Sequence, residues 1–535
     1  MSKRRRDDDT GSSSRSKKQK RDPSWDSSNP SSRQGPTSAT TASVYSIRKV
    51  GANTVPSLPT ICLKSFVNDL IHQTSEKNNA KTIFRLKRLP EHLLSKVWSL
   101  LVSSWPQHIT HAFIMAVFLR GSSIHFPSTL TGVRANTIQE LSRMRESLVD
   151  LRITGFTFKD KVFATALARL LYLQHLNLRG CRNVSSLTCK VIAGTHKDLL
   201  YLNLGETNPT AADIKSIITS CEEIEVLKLS SLEAVTDLAL TRLADELPID
   251  EADNSSGPLR RLRSLKLRHT AITGTTVASM LGRLPLLERL DVSFVPLANI
   301  PLDITAPLTN MVKLSLSSTP IEARRLLPVL ELMPNLQILN IGSLGSHART
   351  AAGFTIGGKQ STSVTGMRTL NDATLYAMTD ILQRMSNLES ISLAGNSYLG
   401  LGKEGAIRHF LRNVGRRLKR LNLSWIPNLR SDDLDGLIQE EGDAQPCSLV
   451  KLILTGCNID DQAAVNIAAC PELAFLDLEN TKISEDALFD IIDACPKLEW
   501  LNLTSCRRVN VQHRRRFFER WKEERILNRE GEESS

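Results

Sequence analysis

The sequence has no long, uninterrupted apolar stretch. Its longest apolar segments alternate with polar residues, and none approaches the ~18 residues that a membrane-spanning helix requires. The N-terminus begins with charged residues and no apolar core, so we expect no secretory signal peptide there. These features argue against a membrane-spanning protein.

The sequence also lacks closely spaced cysteine pairs. It has nine cysteines but no C-x-x-C pair, so neither a zinc site nor a disulfide framework is expected. Six cysteines recur at fixed positions of the repeat described below, where we predict small buried side chains. This use of cysteine is typical of a reducing compartment, the cytosol or the nucleus. The six are Cys181, Cys221, Cys457, Cys470, Cys495 and Cys506.

The motifs of common enzyme classes are missing as well. There is no P-loop and no H-E-x-x-H motif. Gly400, Gly402 and Gly405 form a G-x-G-x-x-G between a predicted strand and a predicted helix. This segment lies inside a repeat, however, and opens no β-α-β unit of a doubly wound sheet, so we do not predict a phosphate-binding loop. We expect neither an enzyme nor a bound cofactor or metal.

A repeat dominates what the sequence does contain. L-x-x-L-x-L openings begin at Leu449, Leu473 and Leu498, at spacings of 24 and 25 residues. A short strand would turn the second and third leucines of each opening inward, and an apolar segment with helical spacing follows. This period is typical of leucine-rich repeats, here of the cysteine-containing, ribonuclease-inhibitor-like type. The predicted fold is α/β, a right-handed leucine-rich-repeat solenoid (horseshoe) with parallel inner strands and outer helices.

Thirteen repeat units are predicted within residues 148–510. Most begin 24–26 residues after the preceding unit, and the four longer spacings predict loops that leave the array. The longest predicted loop covers about residues 345–367, and its composition leaves open whether it has a function. The units begin at Leu148, Leu173, Leu199, Ile224, Leu262, Leu287, Met311, Leu336, Leu388, Leu418, Leu449, Leu473 and Leu498.

Residues 1–55 are polar and basic, and we predict a disordered tail. Two basic clusters in it are typical of a bipartite nuclear import signal, which implies importin as a partner and a nuclear location, with the cytoplasm as a second compartment. The alternative is a solvated charged tail, or one that contacts nucleic acid. The clusters are Lys3, Arg4, Arg5 and Arg6, followed by Lys17, Lys18, Lys20 and Arg21.

Residues 511–535 are predicted to form a basic C-terminal helix and tail. Phe517, Phe518 and Trp521 have the spacing of one helical face. The last unit of a solenoid would otherwise expose its core, so we prefer a capping role over nucleic-acid binding.

Residues 56–147 are apolar with a helical period but contain no repeat opening. The first end of a solenoid also needs a cover, so a helical cap is expected on physical grounds alone. A second interpretation adds a docking function to this cap. The sequence by itself does not decide between the two.

A short motif in this segment supports the second interpretation. Ser57, Leu58, Cys62 and Phe66 resemble the box by which ubiquitin-ligase substrate receptors bind elongin C, although Phe66 replaces the usual aliphatic residue. Leu89, Pro90 and Leu93 resemble either the cullin-facing part of that module or the start of an F-box helix. Together with the repeats, the motif resembles leucine-rich-repeat receptors of elongin-based cullin ligases, including the subunit of the fungal nucleotide-excision-repair ligase.

The strand residues beside the inward leucines are predicted to form the concave face. Its N-terminal half is rich in cations, which favour an acidic protein and, less strongly, nucleic acid. Its C-terminal half carries aromatic residues, which are typical interaction anchors. The predicted contact residues are Arg152, Arg179, Lys228, Lys266, Arg268, Arg289 and Lys313, then Trp425, Phe475 and Trp500.

These observations lead to one main hypothesis. The resemblance implies a non-catalytic substrate-recognition subunit of a cullin-type ubiquitin ligase, which would bind elongin C or a Skp-type linker and present a target protein on its concave face. The alternatives are a nuclear repeat scaffold without any ligase, and a DNA-repair or chromatin protein.

Overall fold

The computed structural model describes residues 47–49, 57–72, 79–240, 259–298, 300, 307–345, 369–402, 405–439 and 446–532. The predicted loop at 345–367 and both predicted import clusters lie outside these residues, except for Gly345 at the start of the loop.

One sheet of fifteen strands runs through the described part of the chain. Strands β2 to β15 are all parallel and follow one another in sequence order, so each unit pairs only with its neighbours. The sheet is open, because β1 and β2 form its two edges. The strands are β1 Ile47–Lys49, β2 Ser123–Pro127, β3 Asp150–Thr154, β4 His175–Asn177, β5 Tyr201–Asn203, β6 Val226–Lys228, β7 Ser264–Lys266, β8 Arg289–Asp291, β9 Lys313–Ser315, β10 Ile338–Asn340, β11 Ser390–Ser392, β12 Arg420–Asn422, β13 Lys451–Ile453, β14 Phe475–Asp477 and β15 Trp500–Asn502.

The predicted repeat register is confirmed. Each of the thirteen predicted units contains a strand that starts two residues after the predicted first residue. In β13 and β14, for example, the middle residues Leu452 and Leu476 pair with each other and are fully buried. Leu454 and Leu478, two residues further on, are buried as well. The hydrophobic core is therefore one continuous column of stacked aliphatic layers.

The array starts one unit earlier than predicted. Strand β2 pairs in parallel with β3 and turns Ile124 and Phe126 inward, as the leucines of later units do. This unit has Gly121 in place of the first leucine, so its opening does not match L-x-x-L-x-L. The predicted boundary at residue 148 therefore moves back to about Ser123.

The N-terminal tail also requires a correction. Ile47–Lys49 were placed in the disordered tail, but they form β1, which pairs antiparallel with β15. The last strand of the array offers unpaired backbone groups at its edge, and a short extended segment satisfies them whatever its side chains are.

Helices lie alongside the sheet, joined to it by short turns. The described α-helices are α1 Leu58–His72, α2 Asn79–Lys87, α3 Glu91–Ser104, α4 His111–Val117, α5 Ala135–Gln139, α6 Asp160–Leu167, α7 Ser186–Thr195, α8 Ala211–Ser220, α9 Gly274–Arg283, α10 Ala323–Glu331, α11 Asp372–Leu382, α12 Ala406–Asn413, α13 Ala463–Ala468, α14 Glu485–Ala494 and α15 Val511–Glu532. Shorter 3-10 turns are Pro106–His108, Glu140–Met144, Gly415–Arg417 and Ser431–Leu437.

A left-handed backbone turn follows the strand in every predicted unit. The residue seven positions after each predicted first residue has a positive φ angle. Glycine adopts this conformation without strain, whereas other residues lose about 1–2 kcal/mol. Four units have glycine there: Gly155, Gly180, Gly395 and Gly456. Nine do not: Glu206, Ser231, His269, Phe294, Ser318, Ser343, Trp425, Asn480 and Ser505.

Cysteine occupies buried positions, as predicted for the six repeat cysteines. Eight of the nine cysteines are buried free thiols, and Cys62 in α1 is the exposed one. Burial raises the pKa of Cys221 and of Cys457 to about 12, so both remain neutral thiols at physiological pH.

Candidate functional site

Helix α1 has one face in the core and one face in solvent. Val67 and Leu70 are buried, and the half-buried Leu63 packs against the same core. On the opposite face, Leu58 is 72 % exposed and Ile61 is 42 % exposed. Cys62 lies beside them and is also exposed. We call Leu58, Ile61 and Cys62 the docking patch, because apolar side chains in solvent gain free energy only when a partner covers them.

The predicted linker-binding residues do not all share this surface. Ser57 is exposed next to Leu58, and its hydroxyl is 2.9 Å from that of Thr60. Phe66 is half-buried and packs against the core, which corrects its assignment to the docking face. Each step of four residues turns a helix by about 40°, so Phe66 lies about 80° from Leu58 around the helix.

The second part of the predicted motif is largely structural. Leu89 packs against the core, and Leu93 is half-buried. Pro90 is exposed and occupies the N-cap of α3. Leu89 therefore helps to hold α3 against the core, and its contact with a linker stays a prediction.

Two residues that we did not single out fasten the helical region to the repeats. The indole N–H of Trp98 in α3 donates to the carbonyl of His125 in β2 at 2.8 Å. The guanidinium of Arg120 donates to the carbonyl of Leu86 in the last turn of α2, at 2.8 Å, and to that of Leu89 just after it, at 3.1 Å. Arg120 therefore serves as a side-chain cap for the C-terminal end of α2. The helical region therefore does cover the first strand.

Several predicted cations of the concave face are paired with acids. Arg152 donates to Asp150 of the same strand, at 2.9 and 3.1 Å. Arg179 lies 2.8 Å from the Glu206 carboxylate, and Lys266 lies 3.3 Å from that of Asp291. The expected positive potential over this half is therefore lower than the count of cations suggests. The sequence pattern identified these cations but not the acid with which each of them pairs.

Of the remaining predicted cations, two lie over aromatic rings and two are opposite each other on neighbouring strands. The Lys228 ammonium lies 4.9 Å from the Tyr201 ring centroid, and the Arg268 guanidinium 5.2 Å from that of Phe294. Both are within cation–π distance. Arg289 and Lys313 are opposite each other on β8 and β9.

A distinct surface lies on the last strands. The rings of Phe475 and Trp500 stack with centroids 3.8 Å apart and planes 5° from parallel. The Lys451 ammonium lies 4.0 Å from the Phe475 centroid. Arg420 pairs in register with Lys451 on the next strand. These four side chains, which we call the aromatic row, are all half-buried. Arg420 and Lys451 were missed, although they occupy the same unit position as Phe475.

The carboxylate of Asp477, beside the aromatic row, is held by hydrogen bonds within the protein. It accepts hydrogen bonds from the Glu479 backbone N–H at 3.0 Å and from the Asn502 side chain at 2.9 Å. Burial nevertheless raises the pKa of Asp477 to about 6. The carboxylate thus holds local structure and is partly protonated in mildly acidic solution.

Trp425 is the most exposed of the predicted aromatic contacts. It is 54 % exposed and occupies the left-handed position of its unit, with φ 59°. Its ring lies over Gly456, the equivalent residue of the next unit, where an added Cβ would collide with it. A bulky residue in this conformation is strained, and such strain is typical of positions with a function.

The backbone N–H groups of the G-x-G-x-x-G segment bind a carboxylate of the protein itself. The backbone N–H of Gly400 donates to the Asp372 carboxylate at 2.7 Å, and Gly402 donates to the other oxygen of the same group. Asp372 begins α11 and therefore fills the place that a phosphate would need.

Two further observations concern the described residues as a whole. None of the helices traced there is both long and apolar enough to cross a membrane. Within the same residues, no cluster of three histidine, cysteine or acidic side chains is arranged to hold a metal ion.

The chain is similar to known repeat proteins. A family model for the leucine-rich repeats of FBD-associated F-box protein At5g56370 matches residues 444–517. No curated protein matches the chain.

Three solved structures are similar to this chain at low identity. They are a yeast Rad7–Elc1 complex (TM-score 0.47, 14 % identity, 81 % of this chain and 96 % of the other), an internalin, InlF, of Listeria monocytogenes (0.37, 16 %, 69 % and 89 %) and a leucine-rich-repeat protein of Leptospira interrogans (0.38, 16 %, 73 % and 91 %). From its parallel strands, its regular register and the family match, the fold is a leucine-rich-repeat solenoid whose last repeats resemble those of an F-box-associated protein.

Proposed function

We propose that this protein is a non-catalytic substrate-recognition subunit of a cullin-type ubiquitin ligase. In this proposal α1 binds elongin C or, in its place, a Skp-type linker, and the concave face binds the target protein. The observation that carries the proposal is the docking patch: Leu58 and Ile61 are exposed on a helix whose opposite face is already buried. The resemblance of the last repeats to an F-box-associated protein supports the same class.

The energetics of the docking patch fit a docking role. Covering a leucine or isoleucine side chain completely contributes about 1.5–3 kcal/mol each. Cys62 adds a small polarizable side chain between them. These exposed side chains do not stabilise the fold, so we attribute their exposure to a partner that covers them.

Nuclear action is part of the proposal. The two basic clusters at residues 3–6 and 17–21 have the composition of an import signal recognised by importin. A fusion of residues 1–21 to a fluorescent protein tests this part separately, and cytoplasmic retention of that fusion would contradict it.

The decisive experiment is affinity purification of the full chain with elongin C and with a Skp-type linker. The double variant Leu58→Glu/Cys62→Glu places two charges in the docking patch, so we expect linker recovery to fall at least about tenfold. Lys64→Glu is the matched control, since Lys64 is exposed on another side of the same helix. Failure of the wild-type chain to retain either linker, or equal recovery by the double variant, would refute the proposal.

A further inference from the structure

We propose that the aromatic row binds an extended acidic peptide segment that carries an aliphatic side chain, contributed by a partner protein. Calling that partner a ligase substrate rests on the proposed function above. The binding itself does not, because it follows from four side chains on β12 to β15 and uses nothing of α1.

The orientation of the rings decides what they can contact. Phe475 and Trp500 are directly opposite on neighbouring parallel strands, and their planes are almost parallel at a 3.8 Å separation. The ring faces therefore point along the row from strand to strand, and the ring edges point away from the sheet. Lys451 covers the other face of Phe475. A partner that approaches the concave face meets ring edges and the exposed parts of two cations.

Ring edges and cations both attract oxygen atoms that carry negative charge. The edge of an aromatic ring carries partial positive charge, and its face carries negative charge. Arg420 and Lys451 add two full positive charges in the same row. Carboxylates and backbone carbonyl oxygens are attracted to all of these groups, so an acidic peptide complements the row electrostatically.

The same geometry disfavours the stacking of a nucleic-acid base on Phe475. Base stacking needs an open ring face, and both faces of Phe475 are occupied. A phosphate backbone also needs a continuous track of cations, whereas Asp477 and Glu479 lie beside the row on β14 and just after it. A peptide tolerates these carboxylates, since its amide N–H groups can donate to them.

An apolar contact completes the site. Ile453 is half-buried, two residues after Lys451, on the same face of β13. It is opposite Asp477 of β14 and adds an apolar side chain at the next position along the strand. A single aliphatic side chain of the peptide can cover these apolar groups while flanking carboxylates reach Arg420 and Lys451.

The test uses the immobilised full chain and a random-peptide phage library. We expect selected peptides to be enriched in Asp and Glu around a Leu, Ile or Val. A labelled synthetic copy of a selected peptide should bind about tenfold or more weakly to Lys451→Glu and to Trp500→Ala. Lys190→Glu is the matched control, because Lys190 is an exposed cation on helix α7, away from the row. Binding to this control should change by less than about twofold.

Three outcomes would overturn the assignment. The first is the absence of enrichment, or enrichment of basic peptides. The second is equal loss of binding in Lys190→Glu. The third is retention of a labelled oligothymidylate in a manner that depends on Lys451 and falls steeply with salt, which would indicate nucleic acid instead. The Leu58→Glu/Cys62→Glu variant should bind the peptide normally, so failure of linker docking and failure of this inference are separable. Thermal melts of all variants exclude misfolding as the cause.

Discussion

The two ends of the array are covered in different ways. At the C-terminal end, α15 buries Phe517, Phe518 and Trp521 completely. At the N-terminal end, α1 buries Val67 and Leu70 but leaves the docking patch in solvent. A helix that seals a core places its largest side chains against that core, as α15 does with its three aromatic residues. Sealing alone does not explain the exposed apolar surface of α1.

The largest expected effect concerns the C-terminal cover. Phe518→Ala removes a fully buried ring that lies among Phe517 and Trp521, so we expect a loss of about 3–5 kcal/mol in local unfolding free energy. Hydrogen exchange of β14 and β15 measures it. Val511→Ala, on an exposed part of the same helix, should cost less than about 0.5 kcal/mol. Equal effects of the two substitutions would show that α15 does not seal the array.

The second prediction compares the two faces of α1. Leu70→Ala should destabilise the N-terminal region by about 2–5 kcal/mol because Leu70 is in the core. Leu58→Ala should change stability by less than about 0.5 kcal/mol while weakening linker recovery. Urea unfolding followed by hydrogen exchange of α1 and α3 measures the difference. A large stability loss in Leu58→Ala would mean that the exposed face is structural after all.

Acid should affect the two ends in opposite directions. Burial lowers the pKa of His196, near β5, to about 4, so the unfolded chain takes up a proton first as the pH falls from about 6.5 to 4. This uptake destabilises the neighbouring units. Burial raises the pKa of Asp477 in β14 to about 6, so the folded chain takes up the proton first over pH 6 to 4, which stabilises the last units.

We expect each change to amount to about 1–3 kcal/mol. Hydrogen exchange of β5 and β14, corrected for the intrinsic exchange rate at each pH, measures them separately. His196→Leu should abolish the response near β5, and Asp477→Asn the response near β14. Parallel responses of both strands to acid would contradict the assigned shifts.

The smallest expected effect concerns the left-handed position. Gly180 near the N-terminal end and Ser505 in the last unit occupy the same unit position with φ 76° and 60°. Gly180→Ala should destabilise by about 1 kcal/mol, and Ser505→Gly should stabilise by about 0.5 kcal/mol. Urea midpoints measure both. The same sign for both substitutions would contradict the strain argument.

The repeats were predictable because they depend on local patterns. Alternating leucines specify which side of a strand faces inward, and this period of two needs no knowledge of the partner strand. The first strand, β2, escaped detection because Gly121 replaces the leucine that opens a unit, although Ile124 and Phe126 keep the alternation. A search for the alternation alone would have found it.

The errors have a common physical origin in contacts between distant residues. β1 depends on the free edge of β15, about 450 residues away, and not on its own composition. The charge of the concave face depends on lateral pairs such as Arg179 with Glu206. The side of the helix on which Phe66 lies depends on how far the helix turns between successive motif positions. Each of these requires the three-dimensional arrangement.

Because β1 pairs with the last strand, only a short segment of chain separates that strand from α1. Lys49 is opposite Trp500 on the last strand, and Ser57, the residue before α1, follows only eight residues later. Eight peptide units reach at most about 28 Å, whereas fourteen flat parallel strands would extend about 62 Å. The short linker between β1 and α1 thus keeps the first turn of α1 near the final repeats. Residues that are far apart in the sequence, at the start of α1 and on the last strands, are thereby kept close in space.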